Sequence, residues 1–147
     1  MIYCCGEALI DMVPRTVGEE GEAFLPIPGG AIFNTAIALG RLGEPTGFVS
    51  GISNDMFGDQ LQAALEASSV DASLCHRSSQ PTTLAFVKLT DGNAEYSFFD
   101  ENSAGQLYSV ADIPEFSPNT EALHFGAISL IPEPCGSAYE EIIARKS

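Results

Sequence analysis

The chain has 147 residues, of which 20 are acidic and 6 basic, for a net charge of −14. That balance argues against nucleic acid or an anionic membrane as a partner, because neither is held without a basic patch. A hydrophobic content of 45% with 18% charged residues is that of a soluble globular protein, and a domain this long hides about two-thirds of its unfolded surface without needing disulfides.

Cys4, Cys5, Cys75 and Cys135 have no CxxC or metal-like spacing. They read as small core residues in a reducing, cytoplasmic setting. Glu7 and Asp11 interrupt the first apolar stretch and no basic leader precedes it, so a signal peptide is not expected. No apolar run approaches membrane-spanning length.

In chain order, Ile2 to Leu9 predicts a buried strand running into Asp11, the first carboxylate beyond it. Ligands of open α/β sheets sit past the carboxyl ends of strands, although turn statistics alone favour a solvated aspartate here. Residues 11 to 27 suggest a small hairpin with an acidic, glycine-rich tip at Gly18 to Gly21. Pro28-Gly29-Gly30 then opens a helix carrying Ile32, Ala36, Leu39 and Ala38 or Leu42 on one face, with Gly43 as a left-handed cap. Asn34 falls in its first turn, where free backbone N–H groups point outward. Those amides, the glycine pair and the Asn34 carboxamide suit a polyhydroxy ligand. A tight strand-to-helix connection, with Asn34 bonding its own backbone, fits the same residues.

Thr46 to Ser50 predicts a second core strand, and Gly51 to Asp55 a turn ending in helix-capping residues. The following helix presents Phe57, Leu61, Ala64 and Leu65. Ala72 to His76 reads as a third short strand. This strand–helix alternation is the rhythm of a parallel sheet with crossover helices. Thr82 to Leu89 and Ala94 to Phe99 form a second hairpin about an Asp91-Gly92-Asn93 turn, with Tyr96 and Phe98 on one face and Ser97 and Phe99 on the other. The two hairpins are expected to pair into a small sheet standing off the main one. Ser109 to Phe116 suggests a short capped helix, Ala122 to Ile128 another core strand enclosing His124, and Ser137 to Lys146 a last helix with Ala138, Tyr139, Ile142 and Ile143 on one face.

The chain holds no GxxxxGK[ST] loop, GxGxxG fingerprint or GxSxG elbow. His124 reads as a core histidine, and no metal centre is expected. The polar residues able to converge are Asp11, Asn34, Asp100, Glu101 and Asn102, with Gly29 and Gly30. Carboxylates and carboxamides beside backbone amides accept and donate in fixed directions, as sugar hydroxyls require. That is a binding set, with no catalytic residue in it.

Pro28-Gly29-Gly30-Ala31-x-x-Asn34-x-Ala36-x-x-Leu39-x-Arg41-Leu42-Gly43 closely resembles the N-terminal signature of the ribokinase-like (PfkB) carbohydrate kinases. Gly6 to Asp11 looks like that family's first strand with its sugar-binding aspartate. Gly51 to Gly58 resembles its GxxGxDxxG segment, with Asn54 in place of the middle glycine, and Pro81 to Val87 with Tyr96 to Asp100 looks like the lid hairpin of the fructokinase branch. The resemblance covers residues 1–147 and implies an α/β ribokinase-like sandwich, a mostly parallel core sheet plus a small β lid with hairpins near 11–27 and 82–100, often used for dimer contacts. It implies that Asp11, Gly29, Gly30, Asn34, Phe98, Asp100 and Asn102 bind the sugar, although the branch more often has an arginine near Asp100 or Glu101. It also implies ATP and Mg²⁺ as cofactors. Nothing resembles the family's DTxGAGD-type signature, which carries the general base and phosphate anion hole. The expectation is therefore the sugar-binding half of a fructokinase-like kinase. The alternatives are 2-keto-3-deoxygluconate kinase, a catalytically silent sugar-binding or dimerisation module and, ranked lower, a nucleoside kinase.

Overall fold

The computed structural model describes residues 1–19, 21–90 and 93–146. Its main sheet has the order β10-β1-β4-β6, built from β1 (Ile2–Cys5), β4 (Thr46–Val49), β6 (Val70–Asp71) and β10 (Ala122–Phe125), all parallel. Because successive side chains leave opposite faces of a strand, Cys4 and Phe48 enter one core while Tyr3, Cys5 and Val49 enter another. Helices α1 (Ala31–Arg41) and α2 (Met56–Ala67) cover the first face. Helix α3 (Cys135–Lys146) covers the second, where its Tyr139 stacks on Tyr108 with ring centroids 5.5 Å apart. The result is the expected three-layer α/β sandwich. A two-stranded parallel ribbon, β5 (Gly51–Ser53) with β7 (His76–Ser78), extends one side of it.

The remaining strands form a separate sheet of order β3-β2-β8-β9, from β2 (Leu9–Val17), β3 (Gly21–Gly29), β8 (Leu84–Thr90) and β9 (Asn93–Phe99). Two antiparallel hairpins join through a parallel pairing of β2 with β8. Ile27 lies opposite Asp11, Asp11 opposite Ala85, and Ala85 opposite Phe98. Directly opposed residues share a face, so one row across the lid puts Asp11 and Phe98 on the same side. The Asp91-Gly92 part of the expected turn lies outside the described residues.

Several boundaries differ from expectation. The first strand ends at Cys5, and Gly6 to Ala8 bend the chain before β2 enters the lid; Asp11 is thus a lid residue, and Glu7 is the first carboxylate past the core strand. A Cβ on Gly6 would lie 2.4 Å from the Gly126 carbonyl oxygen, so the bend requires a residue without one. In α1 the buried face is Ile32, Phe33, Ala36 and Gly40, while Leu42 is 80% exposed. Gly40 sits where a Cβ would meet the Ser68 carbonyl oxygen at 2.2 Å, which lets the helix end lie directly on the chain after α2. Glu44 and Gly43 donate back to the Leu39 and Gly40 carbonyls, with Gly43 at φ 85°, closing α1 as anticipated. Residues 72–75 form a turn, with the strands on either side of it. Only Val110–Asp112 is helical in the 109–116 stretch, where Asp112 accepts from both the backbone N–H and the hydroxyl of Ser109. His124 is exposed, because β10 pairs only with β1 and is open on its other flank among the described residues. No helix among the described residues is long and apolar enough to cross a membrane.

Candidate functional site

Where the lid meets the sandwich, a cleft of about 250 Å³ is lined by Glu7, Leu9, Asp11, Gly30, Ala31, Asn34, Tyr96, Phe98, Ala127 and Ile128. Three elements build it. The lid row supplies Asp11 and Phe98. The start of α1 supplies Gly30 and Asn34, and the segment after β10 supplies Ala127 and Ile128. Gly30 has φ 111°, a conformation that disfavours a side chain, and an added Cβ would approach the Glu7 carbonyl oxygen at 2.8 Å. Gly29 stands beside Asp11: a Cβ there would meet Asp11 Oδ2 at 2.3 Å. Gly29 thus makes the room in which the Asp11 carboxylate lies.

Burial raises the Asp11 carboxyl above its ordinary range. Asn34 is exposed at the cleft, and its backbone N–H donates to the Gly30 carbonyl as an ordinary helical bond. Tyr96 and Phe98 stack on the lid side with ring centroids 6.0 Å apart, and Phe98 is 51% exposed. An apolar ring beside a carboxylate, with a carboxamide lining the same cleft, suits a ring whose faces carry C–H groups and whose edges carry hydroxyls.

A second chamber of about 240 Å³ adjoins this cleft, sharing Glu7, Phe98 and Ile128 with it and adding Thr83, Asp100 and Cys135 among others. Asp100 is engaged there by the chain itself. The Thr83 hydroxyl lies 2.5 Å and the Ser103 hydroxyl 2.8 Å from Asp100 Oδ1, and the two hydroxyls lie 2.9 Å from each other. Asn102 lines neither cavity; it turns the chain at φ 58°, and its N–H donates to Gln106 Oε1. Of the expected residues, Asp11, Gly30, Asn34 and Phe98 therefore converge, Gly29 supports Asp11, Asp100 borders the adjoining chamber, and Asn102 stands apart.

Two of the helix-start amides expected to be free are engaged within the chain. Glu7 Oε1 accepts from the Ala31 and Ile32 N–H groups at 2.9 and 3.3 Å, capping a helix whose own N-cap is a glycine. Sequence reasoning passed over Glu7, Tyr96, Ala127 and Ile128. For Glu7 the signal was present: a carboxylate inside an apolar run must find donors, and a helix starting at Gly30 lacks a capping side chain.

Helix N-termini are natural phosphate seats; here Glu7 occupies that of α1, and Asp55 occupies that of α2, where it accepts from Phe57 and Gly58 N–H. Among the described residues no three His, Cys, Asp or Glu side chains converge as a metal site.

Comparison with known proteins agrees with this fold. The chain is 58% identical over 149 aligned residues to a fructokinase of Rhizobium leguminosarum bv. trifolii, covering 100% of this chain and 45% of that protein. It superposes on a crystal structure of fructokinase from Xylella fastidiosa with TM-score 0.91 at 33% identity, covering 98% of this chain and 48% of the other. It likewise superposes on a Vibrio cholerae O395 fructokinase in its fructose-, ADP- and calcium-bound form, with TM-score 0.83 at 30% identity and 98% and 46% of the two chains covered. The chain thus spans about half the length of the relatives it matches. The pfkB family carbohydrate kinase pattern extends over residues 1–147, and the chain belongs to that family.

Proposed function

We propose that the cleft between the lid and the start of α1 binds a neutral hexose, fructose foremost, and that the whole protein is an ATP-dependent fructokinase. The observation that carries this reading is the convergence of Asp11, Gly30, Asn34 and Phe98 in one cleft. Asp11 accepts from sugar hydroxyls, the Asn34 carboxamide both donates and accepts, and Phe98 covers an apolar sugar face. The two carboxylates of the cleft, Glu7 and Asp11, disfavour a sugar acid such as 2-keto-3-deoxygluconate, because no lysine or arginine is among the lining residues. The residues that hold ATP and Mg²⁺, and the general base, lie in polypeptide beyond these residues. The Vibrio cholerae relative, of which this chain covers 46%, is in a fructose-, ADP- and calcium-bound form, which favours a sugar kinase reading for the whole protein.

Homodimerisation through the lid and a cytoplasmic location complete the proposal. Exposed Leu25, Ile27, Tyr96 and Phe98 give the lid an apolar face beyond what one small ligand covers. Calorimetry on the 147-residue chain should show fructose binding that Asp11→Asn weakens by at least about tenfold, the loss expected when a hydrogen bond to a charged group is lost. No sugar should be phosphorylated by this chain with ATP, whereas the longer polypeptide should phosphorylate fructose. Binding of 2-keto-3-deoxygluconate in preference to fructose would overturn the substrate assignment, and phosphorylation by the 147-residue chain would overturn the division of labour.

A further inference from the structure

Glu7 is 9% exposed and sits at the junction of three segments that are far apart in sequence. One carboxylate oxygen, Oε1, accepts from Ala31 and Ile32 at the start of α1. The other, Oε2, accepts from the Ala127 N–H at 3.0 Å and lies 3.1 Å from the Ser129 hydroxyl. The Ser129 hydroxyl is also 2.8 Å from the Gly126 carbonyl oxygen, so its one proton serves one of the two acceptors at a time. The Glu7 backbone closes the same junction, packing against Gly30, whose added Cβ would come within 2.8 Å of the Glu7 carbonyl oxygen.

The two segments joined by this carboxylate are two walls of the cleft. Asn34 stands one turn along α1 from Ala31, and Ala127 and Ile128 form the wall across from it. No other side chain bridges these walls among the described hydrogen bonds. We propose that Glu7 is a positioning residue for carbohydrate binding: by holding the start of α1 and the segment after β10 on its two oxygens, it fixes the distance between Asn34 and Ala127–Ile128. Glu7 acts through those amides: its oxygens accept from three backbone N–H groups and share the Ser129 proton with the Gly126 carbonyl. This assignment rests on the proposed sugar reading of the cleft.

Glu7→Gln separates the role from bulk. Glutamine keeps the shape but presents one oxygen and one NH₂, so one pair of protein donors faces a donor. In the 147-residue chain, Glu7→Gln should bind fructose about tenfold more weakly, as expected when charge-assisted bonds are lost. Amide exchange at Ala31, Ile32 and Ala127 should accelerate while that of the distant Val49 and Leu65 amides stays at the wild-type rate. Ser129→Ala, which removes a single donor, should weaken binding by about two- to threefold, and it decides the matter should Glu7→Gln fail to fold. Asn34→Ala is the comparison variant that reports on the cleft itself. If wild type binds and Asn34→Ala does not, then an unchanged fructose affinity in folded Glu7→Gln, even with a lowered Tm, overturns the positioning role alone. If wild type binds no sugar, the reading of the cleft fails and takes this role with it.

Discussion

The floor of the cleft and its lid solve opposite problems. At the floor the buried Glu7 carboxylate meets Ala31, Ile32, Ala127 and Ser129, and elsewhere in the sandwich the half-buried Asp55 caps α2 while accepting from the backbone N–H and hydroxyl of Thr82. In the lid, large apolar groups lie open on both faces. Tyr96 and Phe98 face the cleft, and Phe24 and Phe99 flank Phe86 on the reverse, with ring centroids 5.1 and 5.4 Å apart. A satisfied polar network holds one geometry without help, whereas exposed aromatic surface gains by being covered. The floor is thus preformed, and the lid is the part whose energy depends on ligand or partner.

Substitutions that cross this divide should separate stability from binding. The largest stability loss is expected at Phe33, fully buried under α1 and edge-on to Phe48. Phe33→Ala should cost about 3–5 kcal/mol in denaturant unfolding, whereas Phe98→Ala should change stability by less than about 0.5 kcal/mol while weakening fructose binding. Equal stability losses at the two positions would erase the distinction between floor and lid.

Two glycines offer a second contrast. Gly40→Ala drives a Cβ onto the Ser68 backbone carbonyl and should destabilise by about 1–3 kcal/mol. Gly29→Ala meets a carboxylate tip that is able to rotate, so Tm should fall little while fructose affinity drops as Asp11 leaves its place. Thermal unfolding beside calorimetry on the same samples checks both.

The two acidic side chains should move stability with pH in opposite directions. Burial pushes the Asp55 carboxyl upward, but the Thr82 hydroxyl and the Gly58 and Thr82 amides outweigh it and leave the group below its usual range. A lowered folded pKa means that Asp55 stabilises above the ordinary carboxylate pKa and loses this contribution as pH falls through the folded value. Asp55→Ala should cost about 1 kcal/mol at neutral pH and flatten the acid limb of the stability curve. Asp11 is raised by burial alone. Its protonated form is the one favoured by folding, and that contribution disappears as pH rises through its folded pKa. Asp11→Asn should therefore match or exceed wild-type stability at neutral pH while binding fructose more weakly, the usual trade of a binding site against the fold. The smallest effect is expected at the exposed Arg145–Glu141 pair on α3, where Arg145→Ala should cost about 0.3–0.5 kcal/mol.

Much of this arrangement is readable in the order of residues. Alternation in Tyr96-Ser97-Phe98-Phe99, a glycine pair ahead of an apolar helical face and paired hairpin signals suffice for the lid and for α1, while the nearness of Phe98 to Asp11 and Asn34 is what the resemblance to the carbohydrate kinases implied. Local patterns fell short where long-range partners decide the outcome. The end of β1 at Cys5 follows from the closeness of Gly6 to Gly126, 120 positions along the chain. The burial of Phe33 and exposure of Leu42 follow from how α1 lies on the sheet and on Ser68. Glu7 gains its importance from donors 24 and 120 residues away, and Asp100 is held by the Thr83 hydroxyl 17 residues before it.

The central claim is that carbohydrate hydroxyls dock between Asp11 and Asn34. A two-dimensional amide NMR titration of the 147-residue chain with fructose tests it most directly. The account predicts saturable shifts confined to Asp11, Gly30, Ala31, Asn34, Phe98 and the Ala127–Ile128 segment, with the Asp11→Asn variant showing them only at higher sugar concentration. Saturable shifts clustered elsewhere, or spectra that fructose leaves unmoved, would contradict it.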